Sequence, residues 1–201
     1  MRLASTRLSS RWRENVVDCV QRIVVVDVNL TILVGNPKPN SRTLGVAAAV
    51  ADALAAPVNG SVRTTIDLAD VASELFDAES VTVPALLEQV ASSDVVIVAS
   101  PTYKATYTGL LKSFLDRYGN NALATTVAVP VMTGATPIHA LAPEVHLRPL
   151  LVELGASVPS RGLYVAEADF EKLEEVVADW AWSAVPLIER AVGQAREGSS
   201  A

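Results

Sequence analysis

With 201 residues, 50% hydrophobic and only 5% aromatic, the chain can bury one sizeable core, and it reads as a single domain of Val, Ala and Leu rather than as several small ones. Its formal charge of −6, with no basic cluster, excludes a nucleic-acid surface. One cysteine, Cys19, excludes an internal disulfide and fits a reducing cytoplasm, and no apolar run approaches the roughly 20 residues needed to cross a bilayer.

Residues 1–22 begin rich in Arg and Ser and free of acids, but Glu14 and Asp18 follow, with no small-residue cleavage region and no apolar segment for secretion. They read as a poorly ordered extension, or as a start assigned too early, ahead of a domain at 23–192 and a tail at 193–201. The first strand is expected at Leu30–Val34, followed by a loop 35–43 and a helix to about Ala56 that buries Leu44, Ala47, Val50, Ala51 and Leu54. Val62 to Leu68 alternate, as an edge-like strand does. Asp70–Ser80 read as connecting structure with Phe76 plugging the core. Thr82 is expected to cap a helix that tolerates Pro84 in its first turn.

Val95–Ala99 is short, β-branched and without alternation, which suits a central strand covered on both faces. Ser100-Pro101 is expected to stop it. A loop 102–108 of hydroxyls and aromatics precedes a helix over Gly109–Asp116. A fourth strand is expected at Thr126–Val131, and then a turn at 132–137. Ile138–Leu154 should be helical but broken at Pro143 and Pro149. A fifth strand is expected at Val158–Val165 and a last helix after an Asp169 cap, its carboxylates Glu167, Asp169, Glu171, Glu174 and Glu175 forming a solvated face. Strands alternating with helices give a three-layer α/β/α sheet.

Loops 35–43, 100–108 and 132–139 each follow an apolar strand. In a parallel sheet they emerge on one edge, where open α/β folds bind ligands. In the first loop, helix-start N–H groups, the Ser41 and Thr43 hydroxyls and Arg42 suit a phosphate. In the second, Pro101, Thr102 and Tyr103 can border a planar heterocycle. In the third, Thr133-Gly134 allow close backbone approach. Two histidines and one cysteine make no zinc constellation, and no Walker loop, Gly-x-Gly-x-x-Gly turn or G-x-S-x-G elbow is present.

The run S-P-T-Y-K-A-T-Y-T-G-L-L-K at 100–112 resembles the signature of the NADPH-dependent FMN reductase family, especially the flavin reductases that serve two-component monooxygenases. The likeness spans roughly residues 30–165. It implies a flavodoxin-like five-stranded parallel sheet in the order 2-1-3-4-5, and hydride transfer from NADPH (or NADH) to FMN, with reduced flavin passed to a partner monooxygenase. It also implies a homodimer or homotetramer, for which the apolar helix 109–118 offers an interface. The family's phosphate loop has the form G-S-P-x-x-x-S-x-T/S, so the resemblance places Asn36 (where the family has serine), Ser41, Arg42 and Thr43 at the FMN phosphate. It sets Pro101, Thr102, Tyr103 and Lys104 at the ring edge, although a solvated Lys104 is an equal reading. It sets Thr133, Gly134, Ala135 (where the family has a second glycine) and His139 near the pyrimidine side. His146 falls where such reductases carry a π-bulge at a subunit interface; an exposed helix histidine is the other reading. Two rivals remain open beside the FMN reductase: a quinone or azo reductase that retains FMN, and a flavodoxin-type carrier that does not oxidise NADPH.

Overall fold

The computed structural model describes residues 28–199. The expected extension 1–22, the domain start at Ile23 and Cys19 lie outside the described residues. Five strands, β1 (Val28–Val34), β2 (Gly60–Asp67), β3 (Val95–Pro101), β4 (Val127–Gly134) and β5 (Leu163–Ala166), form one sheet in the order β2-β1-β3-β4-β5. Every ladder is parallel. This is the flavodoxin-like order, in which the chain reverses direction across the sheet between β1 and β3.

Two apolar layers sandwich the sheet, as a parallel sheet requires. Side chains at alternate positions, Leu30, Ile32 and Val34 of β1 with Val95, Ile97 and Ala99 of β3, meet α1 (Arg42–Ala55) and α5 (Leu173–Ser199). The opposite set, Leu33, Val96, Val98, Ala128 and Met132, packs with α2 (Thr82–Ala91), α3 (Gly109–Leu115) and α4 (Arg148–Glu153). The two-residue period of the strands produces this division.

Several expectations shift for local reasons. Phe76 does not plug the core; it is 85% exposed, because Leu75, at 1% exposure, already fills that place after a 3-10 turn over Leu68–Glu74. Thr82 is the first residue of α2 rather than its cap. The Ser80 hydroxyl accepts from the Val83 N–H (3.2 Å) and donates to Glu74 (2.8 Å). Asp169 lies inside a 3-10 turn, Glu167–Lys172, ahead of α5. α5 also runs past residue 192 to Ser199, so 193–199 are helix rather than tail. On the apolar side of α3, Leu111, Phe114 and Leu115 are buried in the second layer.

β5 begins at Leu163 rather than Val158. The carbonyls of Val158 (2.5 Å) and Ser160 accept from Arg148, and the Gly162 N–H donates to Glu144 Oε1 (2.6 Å), so these backbone groups serve a side-chain pair instead of a ladder. Glu144 and Arg148 are themselves paired at 2.7 Å. Between them the proline-interrupted stretch forms one turn of π-helix, Pro143–Leu147, which contains His146.

At the opposite edge of the sheet from the three loops, Arg196 of α5 holds Asp94 just before β3, at 2.8 Å, and the Asn29 N–H donates to the same carboxylate (2.8 Å). Burial opposes ionisation of Asp94, but Arg196 and Asn29 outweigh it and hold the carboxyl below its usual range. A depressed folded pKa contributes stability that is fully present above the unfolded value, about 4, and lost as pH falls through the lower folded value. Thermal melts from neutral to strongly acidic pH should therefore show Asp94→Asn losing most against wild type near neutrality, the two converging in acid. A gap that widens on acidification would contradict the linkage.

Candidate functional site

The ladders align the strand ends. Val34 of β1 lies beside Ala99 of β3, Ala99 beside Val131, and Pro101 beside Thr133 of β4, so all three connections leave the sheet at one edge. There they enclose a cavity of about 410 Å³, within the range of small-molecule sites.

The first wall is the β1–α1 loop. Ser41 caps α1, its hydroxyl accepting from the Leu44 N–H (3.3 Å), while Asn40 takes the left-handed conformation (φ 51°) with its N–H on Asp67 (3.2 Å). A helix start leaves its first N–H groups without intrahelical acceptors. Ser41, Arg42 and Thr43, which stand at this start, all line the cavity together with Asn36. The second wall is Pro101, Thr102 and Tyr103, and the third is Thr133, Gly134 and Ala135. Buried hydroxyls stitch first to third: Asn36 Nδ2 donates to Thr43 Oγ1 (3.1 Å), which lies 2.9 Å from Thr133 Oγ1. The Thr102 N–H donates to Thr133 O (2.7 Å), which ties second to third.

Lys104 and His139 do not line the cavity. Tyr103 and Thr106 close a two-residue turn on each other (2.8 and 3.2 Å), which carries Lys104 past the rim. His139 ends a 3-10 turn, Pro137–His139, several residues beyond Ala135. Sequence reasoning missed Lys38 and Asn40, which share the first loop, and Glu167 and Phe170, which follow β5. Nothing in the run of carboxylates marked Glu167; its signal is only its place just after the strand that flanks β4. Far from being a bystander on a solvated face, it sits 2.6 Å from Arg42, whose guanidinium also lies 4.9 Å from the centre of the Phe170 ring.

The Lys104-Ala105 turn has positive φ at both central positions (52° and 70°), the requirement of a type I′ turn, yet neither residue is glycine. Left-handed backbone costs an L-residue about 1–2 kcal/mol. Ala105→Gly should therefore raise the melting temperature by about 2 °C, net of the extra entropy of an unfolded glycine. A lower melting temperature would show that the turn is not strained.

The cavity passes a simple test of fit for a phosphorylated heterocycle. One wall offers helix-start donors with Arg42 and Lys38; the other presents the Tyr103 ring, half exposed, and the buried Thr102 hydroxyl. The neighbouring Tyr164 hydroxyl donates to Thr136 O (2.7 Å) and can itself accept from Thr102.

A second cavity, about 600 Å³, lies between α3 and the π-helix and includes Tyr107, Lys112 and His146; it shares no residue with the first. Among the described residues no group of three or more His, Cys, Asp or Glu could hold a metal ion. Among the described residues no helix is long and apolar enough to cross a membrane.

Comparison with known proteins bears on these observations. An FMN reductase (NADPH) of Pseudomonas aeruginosa is 37% identical over 111 residues, which cover 53% of this chain and 60% of that protein. The chain thus spans about 60% of that relative's length, less than two thirds of it. An NADH-dependent FMN reductase, SfnF, of Pseudomonas putida is 28% identical over 166 residues, covering 75% of this chain and 89% of that one. Among solved structures, the apo form of an NADH:FMN oxidoreductase (EMOB) superimposes with a TM-score of 0.69 at 27% identity, covering 85% and 89% of the two chains. The family model for NADPH-dependent FMN reductases matches residues 28–171, the strands and loops that build the first cavity, and the chain belongs to that family.

Proposed function

We propose that this chain is a cytoplasmic NAD(P)H-dependent FMN reductase, which oxidises NADPH or NADH and delivers reduced flavin to a flavin-dependent monooxygenase. The observation that carries the reading is the single cavity at the carboxyl edge of β1, β3 and β4, cationic and rich in N–H donors at one wall and open to a flat ring at the other. When bound there, FMN supplies the isoalloxazine that accepts hydride from the nicotinamide. The protein's part is orientation and charge. Ser41, Thr43, Arg42 and the α1 start hold the phosphate. Pro101, Thr102 and Tyr103 border the ring. Thr133, Gly134 and Ala135 close the third side; no side chain need act as a general acid.

A homo-oligomer is part of the same reading. Ile138, Leu141, Val145 and Val152 are more than half exposed around the π-helix, a concentration of apolar surface that a second copy would cover. His146 stands among them.

The test is anaerobic turnover with free FMN against a quinone, after recording the visible spectrum of the purified protein and titrating FMN. The proposal expects NAD(P)H oxidation that depends on added FMN and releases reduced flavin. Ping-pong turnover of quinones with flavin retained throughout would replace it with the quinone or azo reductase. Flavin binding without nicotinamide oxidation would replace it with the electron carrier.

A further inference from the structure

The arginine at the phosphate wall is not a free cation. Arg42 is the first residue of α1, directly after the Ser41 cap, yet its Nη1 donates to Glu167 Oε1 (2.6 Å) and its guanidinium lies 4.9 Å from the centre of the Phe170 ring. Both partners come from the turn after β5, and both line the same cavity as Arg42. The charged residues of that lining are Lys38, Arg42 and Glu167, which sum to +1; without Glu167 the sum is +2.

A guanidinium is planar, keeps its charge at every accessible pH and offers five N–H donors. Phe170 places its ring within cation–π reach of this one, and Glu167 occupies one of its donors through a single contact. A phosphate ester arriving at Ser41 and Thr43 must therefore either take that donor from the carboxylate or share the arginine with it. Sharing places two anions around one cation, at a rim where Arg42 and Glu167 are about half exposed and their pairing is intrinsically weak. In either arrangement the carboxylate opposes the phosphate.

We infer that Glu167 is a specificity-setting residue that competes with the flavin phosphate for Arg42, loosening the hold on FMN while leaving the contacts to its ring untouched. The inference rests on the proposed FMN site and adds to it a reason for flavin to exchange: the site carries its own anion, which takes Arg42 back as the phosphate leaves. Glu167 acts through Arg42 and by charge, and needs no contact with the ring.

The experiment compares FMN with riboflavin, which lacks the phosphate, by quenching of flavin fluorescence in wild type, Glu167→Gln, Glu167→Asp, Arg42→Gln and the double variant, each at low and high salt. Glu167→Gln should tighten FMN about two- to fivefold at low salt and less at high salt, with riboflavin unchanged. Glu167→Asp, which keeps the charge, should stay close to wild type. Arg42→Gln should weaken FMN alone, and on that background the gain from Glu167→Gln should shrink. Weaker FMN binding in Glu167→Gln would overturn the inference, because it would mean that Glu167 aims Arg42 at the phosphate. Equal shifts for FMN and riboflavin would overturn it too, as a general packing effect. A wild type that binds neither flavin, or an Arg42→Gln protein that binds FMN unchanged, would instead defeat the underlying assignment of the site.

Discussion

Gly35→Ala should destabilise the fold by about 3 kcal/mol and lower the melting temperature by roughly 6–10 °C. Gly35 follows the last residue of β1, its N–H on Ala99 O (2.8 Å) and its carbonyl accepting from Thr108 Oγ1 (2.5 Å). A Cβ built there would sit 2.4 Å from Leu111 Cβ and 3.1 Å from Leu111 Cα. Those atoms belong to the framework of α3 rather than to the tip of a flexible side chain, and Leu111 is wholly buried. The added methyl therefore has to push β1 and α3 apart at the point where the β1–α1 loop departs, and FMN affinity should fall with stability. Urea unfolding measures the first and flavin titration the second. A variant within about 0.5 kcal/mol of wild type would mean that the helix gives way freely.

That contact shows why the fold was readable and its joints were not. The apolar run Val95–Ala99 has no alternation, and it lies between β1 and β4 with both faces covered. The alternating stretch 62–68 became the outermost strand, β2. Periodicity reports how many faces of a strand are buried, and that suffices to separate centre from edge. It says nothing of where a ladder gives way to side chains. β5 was expected five residues early because Arg148 and Glu144, in the preceding helical stretch, take backbone groups of Val158, Ser160 and Gly162. Pro130 argues against a central strand by its missing N–H, yet β4 accommodates it because the ladder to β5 starts only at Val131.

The candidate site divides the same way. Ser41, Arg42 and Thr43 were legible because a helix start after a Gly- and Pro-rich turn is a local pattern. Pro101, Thr102 and Tyr103 were legible because they follow a strand end. Glu167 and Phe170 reach the cavity only because β5 is placed beside β4, a fact of sheet order that no local pattern contains. Lys104 was misplaced for the opposite reason, since a tight turn closed by Tyr103 and Thr106 carries it beyond residues adjacent to it in sequence.

Thr43→Val tests whether the loops are held to one another or merely adjacent. Thr43 is 2% exposed, Thr133 5% and Asn36 9%, and the Thr43 hydroxyl is the common partner of the other two. Valine keeps the shape and removes the hydroxyl, stranding the Asn36 amide and the Thr133 hydroxyl away from water. Each such group costs about 1–3 kcal/mol, so a loss of about 2–6 kcal/mol is expected, together with weaker FMN binding as the β1–α1 loop detaches from β4. A general packing defect would predict that adding Thr133→Val makes matters additively worse. A hydroxyl bridge predicts the reverse: once Thr133 is also apolar, only the Asn36 amide remains stranded, and the double variant should be less unstable than the sum of the two single ones. Urea unfolding of the four proteins in that cycle decides between them. Strict additivity would mean that the two loops share an edge of the sheet without sharing a bond that matters.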